Sequence, residues 1–216
     1  TLWQQEYGKN NDRYTNILDY IGDLYLELNE PNYKTANLLF LESKTIREKL
    51  YGKLHPNYAI SLYNLAVVYI DTKNYPKAER LLVECMAIQE KTIGIKSYEY
   101  AMVIWDLGDL YRRWGRYDKA EKYLLEALSI QEKTMGILST EQLLGDIGDV
   151  YFKRNKTAKS AIYHQRANDI RKKLLTNAAY YLSEKELLAY LELLTPTQDK
   201  QLTYAHQEPV YHKIAY

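Results

Sequence analysis

Four glycines recur along this chain at nearly equal intervals, and each follows a run of helix-forming residues. They are Gly8, Gly52, Gly94 and Gly136, separated by 44, 42 and 42 residues. A fixed period in this range is typical of stacked supersecondary units, in which each unit packs on its neighbours. The interval therefore predicts a repeat array rather than one globular core, and such arrays mostly bind other polypeptides.

A tyrosine marks the same place in every unit and allows the units to be aligned. The apolar residues before it are three and four positions apart, so they share one face of a helix. A glycine or alanine within each set is expected to let a neighbouring helix approach closely. The aligned sets are Leu18, Ile21, Gly22 and Tyr25; Leu62, Leu65, Ala66 and Tyr69; Ile104, Leu107, Gly108 and Tyr111; and Leu144, Ile147, Gly148 and Tyr151.

A second helix is predicted after the first in each unit, following a short turn. Its aligned apolar residues are Ala36 and Phe40, Ala78 and Leu82, and Ala120 and Leu124. Glycine and proline are scarce, at 9 and 5 residues of 216, which favours helices over a turn-rich β fold. The chain is therefore predicted to be all-α and built from antiparallel helix pairs.

This pattern resembles the tetratricopeptide repeat, with Leu or Ile in place of the signature Trp and without the closing Pro. The segments NYPKAERLLVECMAIQEKTIG and RYDKAEKYLLEALSIQEKTMG look like the longer repeat variant of kinesin light chains. The resemblance covers about residues 1–175 and implies an α-solenoid, a right-handed superhelix of helix pairs with a C-terminal capping helix.

The alignment also predicts the boundaries of the units. We expect the end of a truncated repeat at 1–13 and repeats at 14–56, 57–98 and 99–139, followed by a degenerate repeat at 140–176. A capping or linker helix is predicted at 177–196, and a tail at 197–216 that leads to a missing downstream domain. In the degenerate repeat, Ser160 and His164 replace Ala120 and Leu124, which predicts a more polar outer face.

The segment after the last repeat carries a helix-start signal and a second resemblance. Ser183 and Glu186 have the spacing of a capping box, in which each side chain bonds the other residue's amide. The run RKKLLTNAAYYLSEKELLAYLELL looks like the segment that joins such arrays to CHAT domains, which are caspase-like Cys/His proteases of bacteria or relics of them. That resemblance implies a CHAT-like domain beyond Tyr216.

Catalytic, metal and cofactor chemistry receive little support from the sequence. Cys85 is the single cysteine and aligns with small, inward-facing residues, so packing is favoured over a redox role. None of the four histidines has zinc-ligand spacing, and His55-Pro56 is interpreted as a turn-shaping pair. No phosphate-binding glycine motif is present, and the net charge is +1. We therefore expect no enzyme activity, metal or cofactor, and neither nucleic acid nor membrane as partner.

Acidic pairs recur on the predicted first helices. They are Asp19 with Asp23, Asp106 with Asp109, and Asp146 with Asp149. Because charged helix faces are usually solvated, the favoured interpretation is a polar face directed toward solvent or neighbouring backbone. A peptide-binding groove is the alternative.

The resemblance to tetratricopeptide repeats implies where such a groove would lie, since first helices line the concave side of the superhelix. Carried over through the aligned tyrosines, the candidate partner-binding residues are Asp19, Asp23, Tyr63, Val67, Trp105, Asp109, Arg112, Arg113, Asp149, Phe152 and Lys153, flanked by Glu27 and Asp71. Packing against the adjacent unit is the alternative role for Tyr63 and Trp105.

The expected function is a cytoplasmic protein-interaction scaffold, or the regulatory arm of a larger bacterial protein. Its partner would be a peptide, a protein or its own downstream CHAT-like domain. Two alternatives stay open: a cargo adaptor of the kinesin-light-chain type, and the substrate-recognition part of a CHAT protease.

Overall fold

The computed structural model describes residues 10–134, 136–183 and 186, and this part of the chain contains helices and no strand. Eight α-helices form four consecutive pairs. They are α1 (Asp12–Glu27), α2 (Tyr33–Tyr51), α3 (Pro56–Asp71), α4 (Tyr75–Thr92), α5 (Tyr98–Arg113), α6 (Tyr117–Thr134), α7 (Glu141–Lys153) and α8 (Thr157–Tyr181). A short 3-10 helix, Ile137–Thr140, precedes α7. The all-α prediction is confirmed.

The helices stack in one direction. Within each pair the first helix packs on the second, and each second helix then packs on the first helix of the next pair. The first helices also contact one another, α1 with α3 and α5 with α7. This is the arrangement of a tetratricopeptide-type α-solenoid, so the odd-numbered helices form a continuous surface.

Glycines make the close approach between the two helices of a pair possible. A Cβ atom added at Gly108 would lie 2.5 Å from Cδ2 of Leu124, and one at Gly22 would lie 2.4 Å from Cε1 of Phe40. In the fourth pair Gly148 faces the ring of His164 instead. The predicted role of these small residues is confirmed, since a Cβ atom at Gly22 or Gly108 would overlap a side chain of the partner helix.

The helix pairs share a continuous apolar core that extends from α3 to α8. Cys85 lies within it with no exposed surface. Burial, together with the nearby negative charge of Asp106, raises the pKa of the Cys85 thiol to about 12. The packing interpretation is confirmed, because a thiol in this environment stays protonated and unreactive.

His55 and Pro56 shape the start of α3. The Nδ1 atom of His55 accepts a hydrogen bond from the backbone N–H of Asn57 at 3.1 Å, and its ring stacks on Tyr51 with centroids 4.4 Å apart. Pro56 occupies the first helical position, where no amide donor is needed. The turn-shaping interpretation of this pair is confirmed.

The capping box after α8 is also present. The backbone N–H of Ser183 donates to Oε2 of Glu186 at 2.9 Å, and the N–H of Glu186 donates to Oγ of Ser183 at 3.4 Å. Helix α8 itself continues to Tyr181, past the predicted end of the fourth repeat at residue 176. Residues 1–9 of the truncated repeat predicted at 1–13, most of the capping helix and the tail at 197–216 lie outside the described residues.

Candidate partner-binding surface

Aromatic side chains on one first helix bond to carboxylates on the next. Nε1 of Trp105 on α5 donates a hydrogen bond to Oδ2 of Asp146 on α7 at 2.8 Å. The Tyr63 hydroxyl on α3 hydrogen-bonds Asp106 on α5 in the same way. Each ring lies six residues before its repeat's aligned tyrosine, and each acid lies five before. The same contact therefore joins successive repeats.

Arginines extend this link into a charged network across three helices. Arg113 contacts Asp71 on α3 at 3.0 Å and Asp109 on its own helix at 2.6 Å. Arg112 contacts Asp109 at 2.5 Å. It also reaches α7, where Asp146 lies 3.5 Å away and Asp149 lies 3.7 Å away. We call the eight residues Tyr63, Asp71, Trp105, Asp109, Arg112, Arg113, Asp146 and Asp149 the first-helix network.

Three carboxyl groups on this surface have raised pKa values. Burial raises the pKa of Asp146 to about 6, although Arg112 and the Trp105 hydrogen bond act in the opposite direction. Burial raises the pKa of Asp106 to about 7, against the hydrogen bond from Tyr63. Burial, with repulsion from Asp19 and Glu27, raises the pKa of Asp23 to about 6. The predicted polar face toward solvent or neighbouring backbone holds for Asp149, which is 52% exposed. It does not hold for Asp146, which is 15% exposed and contacts the side chains of Trp105 and Arg112 on the preceding first helix.

These pKa values give the stability of the chain a definite pH dependence. A carboxyl with a higher pKa in the folded than in the unfolded state binds its proton more tightly when folded. The resulting stabilisation is complete below the unfolded pKa of 3.8 and is lost as the pH rises through about 7 at Asp106. We expect the free energy of unfolding, measured by urea denaturation, to fall between these pH values.

Asp106→Asn should flatten that pH profile, because asparagine resembles the protonated acid and still accepts the Tyr63 bond. The substitution should stabilise the chain above pH 7 and leave it nearly unchanged below the unfolded pKa. Asp169→Asn, on the exposed face of α8, is the control and should retain the parent profile. Equal pH profiles of stability for the parent and Asp106→Asn would refute the assignment of a raised pKa to Asp106.

Asp19 does not belong to the groove. Only 8% of the residue is exposed, and its Oδ2 lies 2.6 Å from Nη1 of Arg47. Arg47, on α2, is 2% exposed and also donates to Asn16 on α1 at 2.8 Å and to Ser61 on α3 at 3.0 Å. The prediction for Asp19 is therefore wrong, because a carboxylate buried against Arg47 is not available to a partner.

The structure brings together six of the eleven candidate residues and separates the others. Tyr63, Trp105, Asp109, Arg112, Arg113 and Asp149 belong to the first-helix network. Asp23, Phe152 and Lys153 are exposed, and Val67 is half-buried, with no polar contact to the network among the described residues. Phe152 is 61% exposed and occupies the position on α7 that Arg112 occupies on α5.

Sequence reasoning missed Asp146 as a network member, and it missed Arg47 altogether. Two signals were available. When the repeats are aligned, an aromatic residue in one repeat corresponds to the position just before an acid in the next. Tyr63 precedes Asp106 in this way, and Trp105 precedes Asp146. Arg47 shares its aligned position with Gln89 and Gln131, and a polar residue that recurs after an isoleucine in successive second helices indicates a buried polar position.

The family model for the tetratricopeptide repeat matches three overlapping stretches, residues 32–91, 63–133 and 99–173. The chain belongs to the tetratricopeptide repeat family. This tetratricopeptide array is similar in fold to the crystal structure of BtubC (BKLC) from P. vanneervenii, with a TM-score of 0.71 and 22% identity, covering 80% of this chain and 69% of that one.

A second similar structure is a putative kinesin light chain with nearly identical TPR-like repeats from Podosopora anserina. Its TM-score is 0.62 at 18% identity, covering 80% of this chain and 82% of that chain. At these identities the likeness concerns the fold alone. A search of the curated proteins found no match. In the described part of the array, no helix is long and apolar enough to cross a membrane.

Tetratricopeptide repeats are generally non-catalytic scaffolds for protein–protein interaction. Among the described residues, no group of three or more His, Cys, Asp or Glu side chains is arranged to hold a metal ion. The first-helix network joins successive first helices through charged and aromatic side chains. Its carboxylates are held by arginines and aromatic donors of the same chain.

Proposed function

We propose that this array binds a polypeptide segment carrying basic side chains along the surface of α3, α5 and α7. The observation that supports this is the charge of the first-helix network. It holds four carboxylates, from Asp71, Asp109, Asp146 and Asp149, against two guanidinium groups, from Arg112 and Arg113. A lysine or arginine from a partner would offset the excess negative charge.

Electrostatics and packing both support this choice of ligand. The raised pKa of Asp146 reflects a carboxylate whose burial is incompletely offset by Arg112. A second cation near it would stabilise the ionised form, and that gain would appear as binding free energy. The exposed ring of Phe152 on the same helix offers an apolar contact beside the charged one. Aromatic and charged residues that lose water together contribute most to binding at such interfaces.

Two sources of the segment correspond to two forms of this proposal. As a regulatory arm, the array would bind a segment of its own polypeptide, and the CHAT-like resemblance of residues 182–190 supports that form. As an adaptor of the kinesin-light-chain type, or as the substrate-recognition part of a CHAT protease, it would bind a separate protein. The single buried thiol of Cys85 supports a reducing compartment such as a bacterial cytoplasm.

The ligand class can be tested by selecting binders from a displayed random peptide library. We expect the selected peptides to be enriched in lysine and arginine. Asp149→Asn should weaken their binding by a factor of roughly 3 to 10, as measured by calorimetry, because it removes one carboxylate of the surface. Circular dichroism should show an unchanged helical content, since Asp149 is 52% exposed.

Asp169→Asn makes the same chemical change on the second helix α8, away from the network. It should leave the affinity of the selected peptides unchanged. Selected peptides without basic residues, or equal losses from the two substitutions, would contradict the proposal. A selected sequence that also occurs in the array's own full-length polypeptide would favour the regulatory form.

A further inference from the structure

The turns within the third and fourth helix pairs line an open basic cavity that the first-helix network does not use. The cavity has a volume of about 520 Å³ and lies between the turn joining α5 to α6 and the turn joining α7 to α8. Its lining contains four cationic side chains, from Arg116, Lys119, Lys153 and Arg154, and one carboxylate, from Asp118. Its charge is therefore opposite to that of the network.

Two of the four cations are already neutralised. Arg154 forms salt bridges with Asp118 and with Glu121 on α6. Lys119 lies 3.5 Å from Glu79 on α4. Since these contacts join the start of α6 to the turn after α7 and to α4, they hold the walls of the cavity in place. The uncompensated positive charge of the cavity therefore resides on the other two cations.

Arg116 and Lys153 carry that uncompensated charge. Neither forms a salt bridge with any residue that the structure describes. The Arg116 guanidinium lies over the Trp114 ring, 3.8 Å from its centroid, so its position is fixed without the loss of its charge. Arg116 directly precedes α6, and the first backbone amides of a helix have no partner within it. Positive groups therefore converge on this cavity from both turns.

We propose that this cavity binds carboxylate side chains of an acidic polypeptide segment, which makes it a second docking site with a charge preference opposite to that of the first-helix surface. Lys153, which sequence reasoning assigned to the groove, belongs to this site. The proposal goes beyond the function proposed above and does not depend on it, because the two surfaces share no residue.

Nucleic acid fits the cavity less well than an acidic polypeptide does. The aromatic rings along this edge are covered by the chain's own cations, Lys77 over Tyr69 at 4.1 Å and Lys119 over Tyr111 at 4.6 Å. Bases therefore cannot stack on these two rings, and such stacking supplies much of single-strand affinity. Asp118 and Glu121 would also repel a continuous phosphate backbone. Carboxylates spaced along a polypeptide can avoid both acids.

Fluorescence anisotropy with a labelled oligoglutamate peptide tests this site. The 216-residue chain should bind oligoglutamate more tightly than an oligoglutamine peptide of equal length. Arg116→Glu combined with Lys153→Glu should weaken oligoglutamate binding by about tenfold or more, because two attractive charges become repulsive. Lys153→Glu alone, at an exposed side chain without described contacts, should weaken it in the same direction if the double variant misfolds.

Lys91→Glu combined with Lys133→Glu is the matched control. These lysines lie in the last turns of the second helices α4 and α6, at the ends farthest from the turns within the pairs. The control should retain the parent affinity, and Asp149→Asn should not weaken oligoglutamate binding even if the first-helix proposal fails. Equal losses in the two double variants, equal binding of oligoglutamine, or tighter binding of a single-stranded oligonucleotide would overturn the proposal.

Discussion

Gly108→Leu should destabilise the array by about 3 kcal/mol, because overpacking at a close helix contact forces the two helices apart. A Cβ at this position would lie 2.5 Å from Leu124 Cδ2, 2.6 Å from its Cγ and 3.2 Å from its backbone nitrogen. The side chain could rotate away, but the backbone cannot move without displacing α6. Urea denaturation followed by circular dichroism measures the loss.

Gly145→Leu is the matched control, since it places the same side chain in the interior of α7. A Cβ at Gly145 meets nothing within 4 Å. Leucine also has a better helix propensity than glycine, so the control should change stability by less than about 1 kcal/mol. Gly108→Ala should lie between the two, because Ala66 already occupies the equivalent position of the second pair. Equal effects of Gly108→Leu and Gly145→Leu would show that the close contact does not limit packing.

Arg47→Met should cost about 3 to 5 kcal/mol, because it leaves a buried carboxylate without its counter-charge. Arg47, which lies on α2, contacts Asp19 and Asn16 on α1 and Ser61 on α3, so it joins three helices. Methionine fills much of the same volume as arginine, so the loss of stability would measure the missing charge rather than a cavity. The measurement is again urea denaturation at neutral pH.

Two companion variants make this result specific. Arg171 has the aligned position in the fourth pair, is half exposed and pairs with Glu141. Arg171→Met should therefore cost less than about 1 kcal/mol, as exposed ion pairs do. Asp19→Asn added to Arg47→Met should recover part of the loss, since the orphaned charge is removed. A small effect of Arg47→Met would mean that water or the neighbouring polar groups replace the guanidinium.

Much of the fold was predictable because its determinants are local and repeated. Helical periodicity, the small residue before each aligned tyrosine and the turn formers all recur at the same interval, so each unit corroborates the others. The roles of Cys85 and His55 were predictable for the same reason. The conformation of each depends on residues a few positions away or on its aligned counterparts.

The candidate surface was only partly predictable. Alignment placed Trp105, Arg112 and Asp149 on first helices, and the structure places all three in one network. Alignment showed an acid one aligned position after Tyr63 and after Trp105, but not that the acid beside Trp105 bonds backward to Tyr63 or that Asp146 receives the Trp105 bond. Those contacts depend on the lateral offset between adjacent helices, which the residues of a single helix do not encode.

Asp19 and Lys153 also show that alignment does not predict contacts between helices. Each occupies a first-helix position that resembles its neighbours in sequence, yet one is buried against Arg47 and the other lines the cavity between two turns. By itself the sequence determined the helix pairs, their order and the glycines that let them pack closely. Only the tertiary structure decided which charges are neutralised and which remain available, because that depends on side chains from two or three helices meeting in space.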